Sequence, residues 1–123
     1  MRAAGIEMGS HGCSHRILTQ IKLQDAEDEL VRSKAEIERH IAGSVEHFAF
    51  PNGDANPDLI ALAGKAGYRT ACLCASGPDG GRFEPLALRR LGMAEAVSVR
   101  GDGSFSEAPL LLWLFRVPRM RLA

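Results

Sequence analysis

Apolar and polar positions alternate between two spacings along this chain, and the switches between them predict the elements. Ile6 to Ser10 reads as a short strand that delivers His11 into a loop. From Leu23 to Ala42 the spacing becomes helical: Leu23, Ala26, Leu30, Ile37 and Ile41 form one stripe, while Asp25, Glu27, Asp28, Lys34, Glu36 and Arg39 fall mostly elsewhere. Carboxylates crowd the first turns of this helix, where the helix dipole favours them, and Gly43 is the expected stop. Val45 to Phe50 is a second strand, halted by the turn sequence Pro51-Asn52-Gly53-Asp54. Asn56-Pro57-Asp58 then opens a second helix with a capping side chain, a proline that forfeits no hydrogen bond and a first-turn carboxylate. Leu59, Ile60, Leu62 and Ala63 are its apolar face and Gly67 its end. Tyr68 to Cys74 is a third strand, and residues 77–81 form a loop.

Strand, helix, strand, helix, strand is the order of an α/β fold with parallel strands and helices packed outside, in a sheet or a barrel. Ligand sites in such folds gather at the C-terminal ends of the strands. The segment from His11 to His15 and the turn from Pro51 to Asp54 both follow a strand, so the two are expected to face one site.

Composition narrows the function classes. At 123 residues the chain is one domain at most. Fifteen basic side chains balance fifteen acidic ones, so no overall field favours nucleic acid. Aromatic residues make up only 6%, without the basic interleaving that binds single strands. Met1-Arg2-Ala3-Ala4-Gly5 is not followed by the apolar core of a leader peptide. The longest apolar run, Leu110 to Phe115, is far short of a membrane span; with Arg116, Arg119 and Arg121 it reads as an amphipathic C-terminal segment, residues 104–123, docking on its own domain. The cysteines, Cys13, Cys72 and Cys74, are odd in number, and two of them sit where a disulfide fits poorly, so they read as buried thiols packing as small hydrophobes.

The candidate chemistry lies in Gly9-Ser10-His11-Gly12-Cys13-Ser14-His15. Two imidazoles at this spacing converge on one metal ion if the backbone turns, which Gly12 and Ser14 allow. Two surface histidines are the plainer reading. Asp54 could add an oxygen ligand, although a turn cap is the simpler role. His47 reads as a packing or edge residue, and His40 as a partner for the C-terminus of the long helix.

Several stretches together resemble the polysaccharide deacetylase family, the NodB homology domain of carbohydrate esterase family 4. They are Gly5-Ile6-Glu7-Met8-Gly9-Ser10-His11 with His15, the helix with Glu29, Leu30 and Ser33-Lys34, then His47-Phe48-Ala49-Phe50-Pro51-Asn52-Gly53, and Ala66-Gly67-Tyr68-Arg69-Thr70-Ala71. The resemblance implies a partial, distorted (β/α) barrel. It implies a hydrolase of non-peptide C–N bonds that removes N-acetyl or O-acetyl groups from a glycan. His11 and His15 match the two histidines that hold a divalent ion, usually zinc. Asn52 matches the position whose backbone amide meets the oxyanion, within a substrate-binding turn of Phe50, Pro51 and Gly53. The family's Asp-Asp motif, which supplies a third ligand and the general base, lies before the two histidines and has no match here. The family's arginine in the third motif is replaced by Ala49, its Ser/Thr after the first histidine by Gly12, and its late histidine has no counterpart. Residues 1–123 are therefore expected to be a single, N-terminally incomplete deacetylase domain with an acetylated glycan as partner and an exposed sheet edge prone to self-association. The alternative is an inactive remnant serving as a glycan-binding or interaction module.

Overall fold

Short parallel strands connected by longer helices set the architecture. The computed structural model describes residues 5–74, 84–90 and 102–107. The helices are α1 (Leu23–Ile41) and α2 (Pro57–Lys65), and the strands are β1 (His47–Ala49), β2 (Thr70–Leu73) and β3 (Leu88–Arg89). All pairings are parallel, in the order β1-β2-β3, with His47 opposite Thr70 and Cys72 opposite Leu88. Each strand neighbours the next in sequence, and the two helices fill the connections on either side of β1, as the α/β reading expects. Among the described residues the sheet is open, so the expected barrel reduces to an arc of parallel strands.

The predicted strand from Ile6 to Ser10 shrinks to one bridge. Ser10 pairs with Phe48, donating its N–H to the His47 carbonyl at 2.8 Å and accepting from Ala49 N–H at 2.9 Å. Its partner β1 is only three residues long, which limits the ladder it can offer. Ile6 stays half-exposed.

Helix α1 spans the predicted range with two corrections. Its left-handed terminator is Ala42 (φ 49°, ψ 48°), one residue before the glycine expected to stop it. Leu23 is 51% exposed, although its angle on the helix matches that of fully buried Leu30. Burial depends on position along the axis as well as around it: Leu23, the first residue of α1, lies beyond the core, and the buried face of the helix begins at Ala26. Ser33 joins the buried face instead. The end of α1 is tied to the approach to β1: Val45 N–H donates to Glu38 Oε1 at 2.9 Å, Lys34 Nζ donates to the Val45 carbonyl, and Lys34 pairs with Glu38 at 3.2 Å.

Helix α2 begins and ends as the sequence predicts. Asn56 Oδ1 accepts from Leu59 N–H at 2.9 Å, and Pro57 occupies the first turn. At the other end Gly67 adopts φ 84°, Tyr68 N–H reaches the Ala63 carbonyl at 3.1 Å and Gly67 N–H the Gly64 carbonyl at 3.0 Å. This paired closure satisfies carbonyls that the helix itself cannot, and it needs a residue free to take positive φ.

The core lies between the helices and one face of the sheet. Phe48 stacks edge-on against Phe50 (centroids 5.0 Å apart) and tilts against Tyr68 (5.1 Å), with Leu18, Ala26, Leu30, Val45, Leu59, Ala63 and Ala71 around them. Leu18 is brought in by a 3-10 turn at Leu18–Gln20 that hydrophobic spacing does not predict.

The chain divides into two units, Met1–Leu91 and Gly92–Ala123. In the second unit, Asp102 Oδ1 accepts from Ser104 N–H (2.9 Å) and Ser104 Oγ (2.6 Å). The predicted loop at 77–81 and all but the first residues of the predicted segment at 104–123 lie outside the described residues. Among the described residues no helix is long and apolar enough to cross a membrane. Cys13, Cys72 and Cys74 are free thiols but not the buried ones expected: Cys13, on the histidine loop, and Cys74, just past the end of β2, are exposed, and Cys72 is only partly buried.

Candidate metal and oxyanion site

The loop from His11 to His15 leaves the sheet at Ser10, at the C-terminal end of the strands. Its backbone turns through left-handed conformations at Gly12 (φ 84°) and His15 (φ 58°). That reversal brings the two imidazoles together with centroids 4.8 Å apart and planes at 66°, both exposed. His11 Nδ1 lies 2.6 Å from the Ala49 carbonyl, which can only accept. Nδ1 therefore carries the proton and Nε2 is left as the ring's free donor atom. A backbone carbonyl in this role is the usual outer support of a metal-binding histidine.

Glu29 on α1 braces the same loop. Its Oε2 accepts from Cys13 N–H at 2.7 Å and Ser14 N–H at 3.0 Å, and its Oε1 from Ser14 Oγ at 2.5 Å. Partial burial pushes the Glu29 carboxyl up, but these bonds and the nearby Arg16 charge outweigh it and hold the group below its ordinary range. Burial and the Glu29 charge push the Cys13 thiol up, which favours the thiol over a thiolate ligand.

The second predicted motif forms a 3-10 turn, Pro51–Gly53, at the end of β1. Asn52 is exposed at φ 59°, ψ −2°, and Gly53 follows at φ 72°. Gly53 N–H closes the turn on the Phe50 carbonyl at 2.8 Å, and its own carbonyl accepts from Cys74 N–H at 3.2 Å. A Cβ at Gly53 would collide with the backbone of Cys74, so only glycine lets the two chains approach. Phe50 and Pro51 are buried, and the Phe50 ring packs in the core. The two motifs are adjacent, joined by the bond from His11 to Ala49 and by Gly12, whose added Cβ would stand 3.9 Å from Pro51 Cγ.

Asp54 turns inward on its own loop, its Oδ2 accepting from Asn52 Nδ2 at 2.6 Å. His47 bonds across the sheet to Thr70 Oγ1 at 2.7 Å and faces Glu7 at 3.4 Å. His40 Nδ1 bonds to the Glu36 carbonyl at 2.8 Å, within its own helix.

Among the described residues no three His, Cys, Asp or Glu side chains gather around one point. The pair His11 and His15 nevertheless suits a divalent ion as two of its ligands, since one ring's tautomer is fixed by the main chain and both rings sit on one short loop. Spacing alone did not reveal how Glu29 holds this loop; the readable signal was a carboxylate beside the buried stripe of α1.

A family model described as polysaccharide deacetylase matches residues 1–71. The chain belongs to the polysaccharide deacetylase family. No curated protein matches it. Among solved structures, the Streptococcus pyogenes deacetylase PplD, in complex with acetate, is similar over 86% of this deacetylase-family chain and 43% of its own, with a TM-score of 0.69 and 19% identity. A polysaccharide deacetylase from Bacillus cereus is similar over 73% of this chain and 29% of its own, with a TM-score of 0.62 and 26% identity. A family 4 carbohydrate esterase from Streptomyces lividans, also in complex with acetate, covers 60% and 38%, with a TM-score of 0.55 and 24% identity. The chain thus spans less than half the length of each of these structures.

Proposed function

We propose that this chain carries the metal-binding and oxyanion-binding part of a hydrolase that removes acetyl groups from a polysaccharide. The observation that carries the reading is the paired imidazoles, one locked by the Ala49 carbonyl, beside a left-handed turn at Asn52. His11 and His15 would hold a divalent ion, zinc being the ion this donor type commonly takes. Such an ion, when bound, supplies a Lewis acid toward the acetyl carbonyl and acidifies water. The Asn52 N–H is the proposed oxyanion donor, set in place by the buried Phe50 and Pro51 and by the close approach of Gly53 to Cys74. Phe50, Pro51 and Gly53 shape the substrate-binding turn through their backbone. The oxygen of a water molecule bonds to the acetyl carbon, the C–N bond breaks, acetate leaves, and both protons of the water pass to the glycan nitrogen, which departs as an ammonium group.

Calorimetric titration with zinc, on the wild type and on a His11→Ala, His15→Ala double variant, tests the reading together with acetate release from N-acetylglucosamine oligomers. One-to-one binding that disappears in the double variant supports it, and wild-type binding no stronger than that of the variant overturns it. Glycan binding without zinc and without acetate would identify a non-catalytic binding module instead.

A further inference from the structure

We infer that Glu29 is the positioning residue for the His11–His15 pair: its carboxylate, mounted on α1, sets the bend that brings the two rings together. The inference rests on the reading of these histidines as metal ligands. Cys13 and Ser14 are the inner residues of the segment between the rings, and both direct their N–H groups at Glu29 Oε2 (2.7 and 3.0 Å), while Ser14 Oγ takes Oε1 at 2.5 Å. Both carboxylate oxygens are thus spent on this loop, through bonds that the negative charge strengthens.

The loop needs such a brace. Its backbone is left-handed at His15, a conformation that costs a residue with a Cβ about 1 kcal/mol or more and persists only when the surroundings impose it. Gly12 passes so close that an added Cβ would lie 3.1 Å from Glu29 Oε2. The mounting is rigid. Glu29 precedes Leu30, which has no exposed surface and whose carbonyl accepts from the Tyr68 hydroxyl at 2.9 Å. The Ala49 carbonyl holds His11 from the sheet, and Glu29 holds the residues after it from the helix. The separation between the two rings is therefore set by the distance between α1 and β1.

The test compares Glu29→Gln with Glu38→Gln, a variant that takes the charge from another carboxylate of α1 accepting from a backbone N–H, that of Val45, away from the loop. Three quantities are read: amide exchange at Cys13 and Ser14, cross-relaxation between the His11 and His15 ring protons, and zinc affinity. Glu29→Gln is expected to speed exchange at both amides, weaken the ring-to-ring signal and lower zinc affinity by about tenfold or more. Glu38→Gln is expected to leave all three at wild-type values even where it lowers the melting temperature. Ser14→Ala, which deletes only the hydroxyl bond, is expected to give a smaller change in the same direction, and it decides the question if Glu29→Gln does not fold. Wild-type ring contact and exchange in a folded Glu29→Gln chain would overturn the inference. A wild type that binds no zinc defeats the proposed function, and the ring contact and exchange rates then judge Glu29 alone.

Discussion

The Ser10 hydroxyl, at the point where the chain leaves the sheet for the histidine loop, donates to Ser33 Oγ on α1 at 2.7 Å, and both residues are buried. Ser33 in turn donates to the Leu30 carbonyl at 3.2 Å and lies 3.4 Å from the Tyr68 hydroxyl. Burial pushes the Tyr68 phenol up, while its hydrogen bonds to Ser10 and Ser33 act the other way. A polar chain in an apolar setting is favourable only while every member has a partner.

Ser33→Ala should therefore destabilise by more than its lost volume implies, by about 1–3 kcal/mol, because it deletes the acceptor of the buried 2.7 Å bond from Ser10. The double change Ser10→Ala, Ser33→Ala removes both partners and should recover part of that loss. Denaturant unfolding of the two singles and the double measures the coupling. Strict additivity would show that the bond contributes nothing.

Gly53→Ala should be the most damaging single-methyl change near the site. It places a Cβ on a φ of 72° and against the backbone of Cys74, which cannot swing aside as a side-chain tip could. The expected outcome is a melting temperature lowered by more than any other substitution proposed here. An unchanged melting curve would contradict the close approach.

Asn56→Ala removes the side chain that accepts from Leu59 N–H and should cost about 1 kcal/mol, while Asn56→Asp should restore most of it. Chemical denaturation of the three proteins checks the ordering.

Acid should loosen the join between α1 and β1. Glu38 is held below its ordinary value of 4.5, first by the hydrogen bond from Val45 N–H and then by the bond from Lys34. A carboxyl lowered in the folded chain contributes stability above its unfolded value, and the contribution is lost as pH falls through the lower folded value. The melting temperature of Glu38→Gln should lie below that of the wild type at neutral pH, and the two should converge as pH falls below 4.5 and through the lowered folded value. A gap that is constant across this range would exclude the carboxylate as its source.

What could be read from the sequence follows physical range. Helix α2 was legible at both ends because Asn56, Pro57 and Gly67 act on their own neighbours. The adjacency of the His11 and Pro51 loops was legible because parallel strands place their C-terminal ends side by side. Ser33 was not, since a serine within an apolar stripe signals burial only once its partner Ser10, far away in sequence, is known. The terminator at Ala42 escaped because tertiary ties at Val45 and Lys34 override the preference for Gly43. Phe50 joins the core because β1 alternates faces and Phe48 and Phe50 share one of them.

The proton on His11 is placed by the carbonyl of Ala49 and not by any side chain. Every residue has that carbonyl, so no ordinary substitution at position 49 deletes it. The identity of residue 49 is thereby free to drift or to be engineered toward a new substrate while the imbalance between the two nitrogens of His11 is retained. Only a change that shifts the strand itself would erase it.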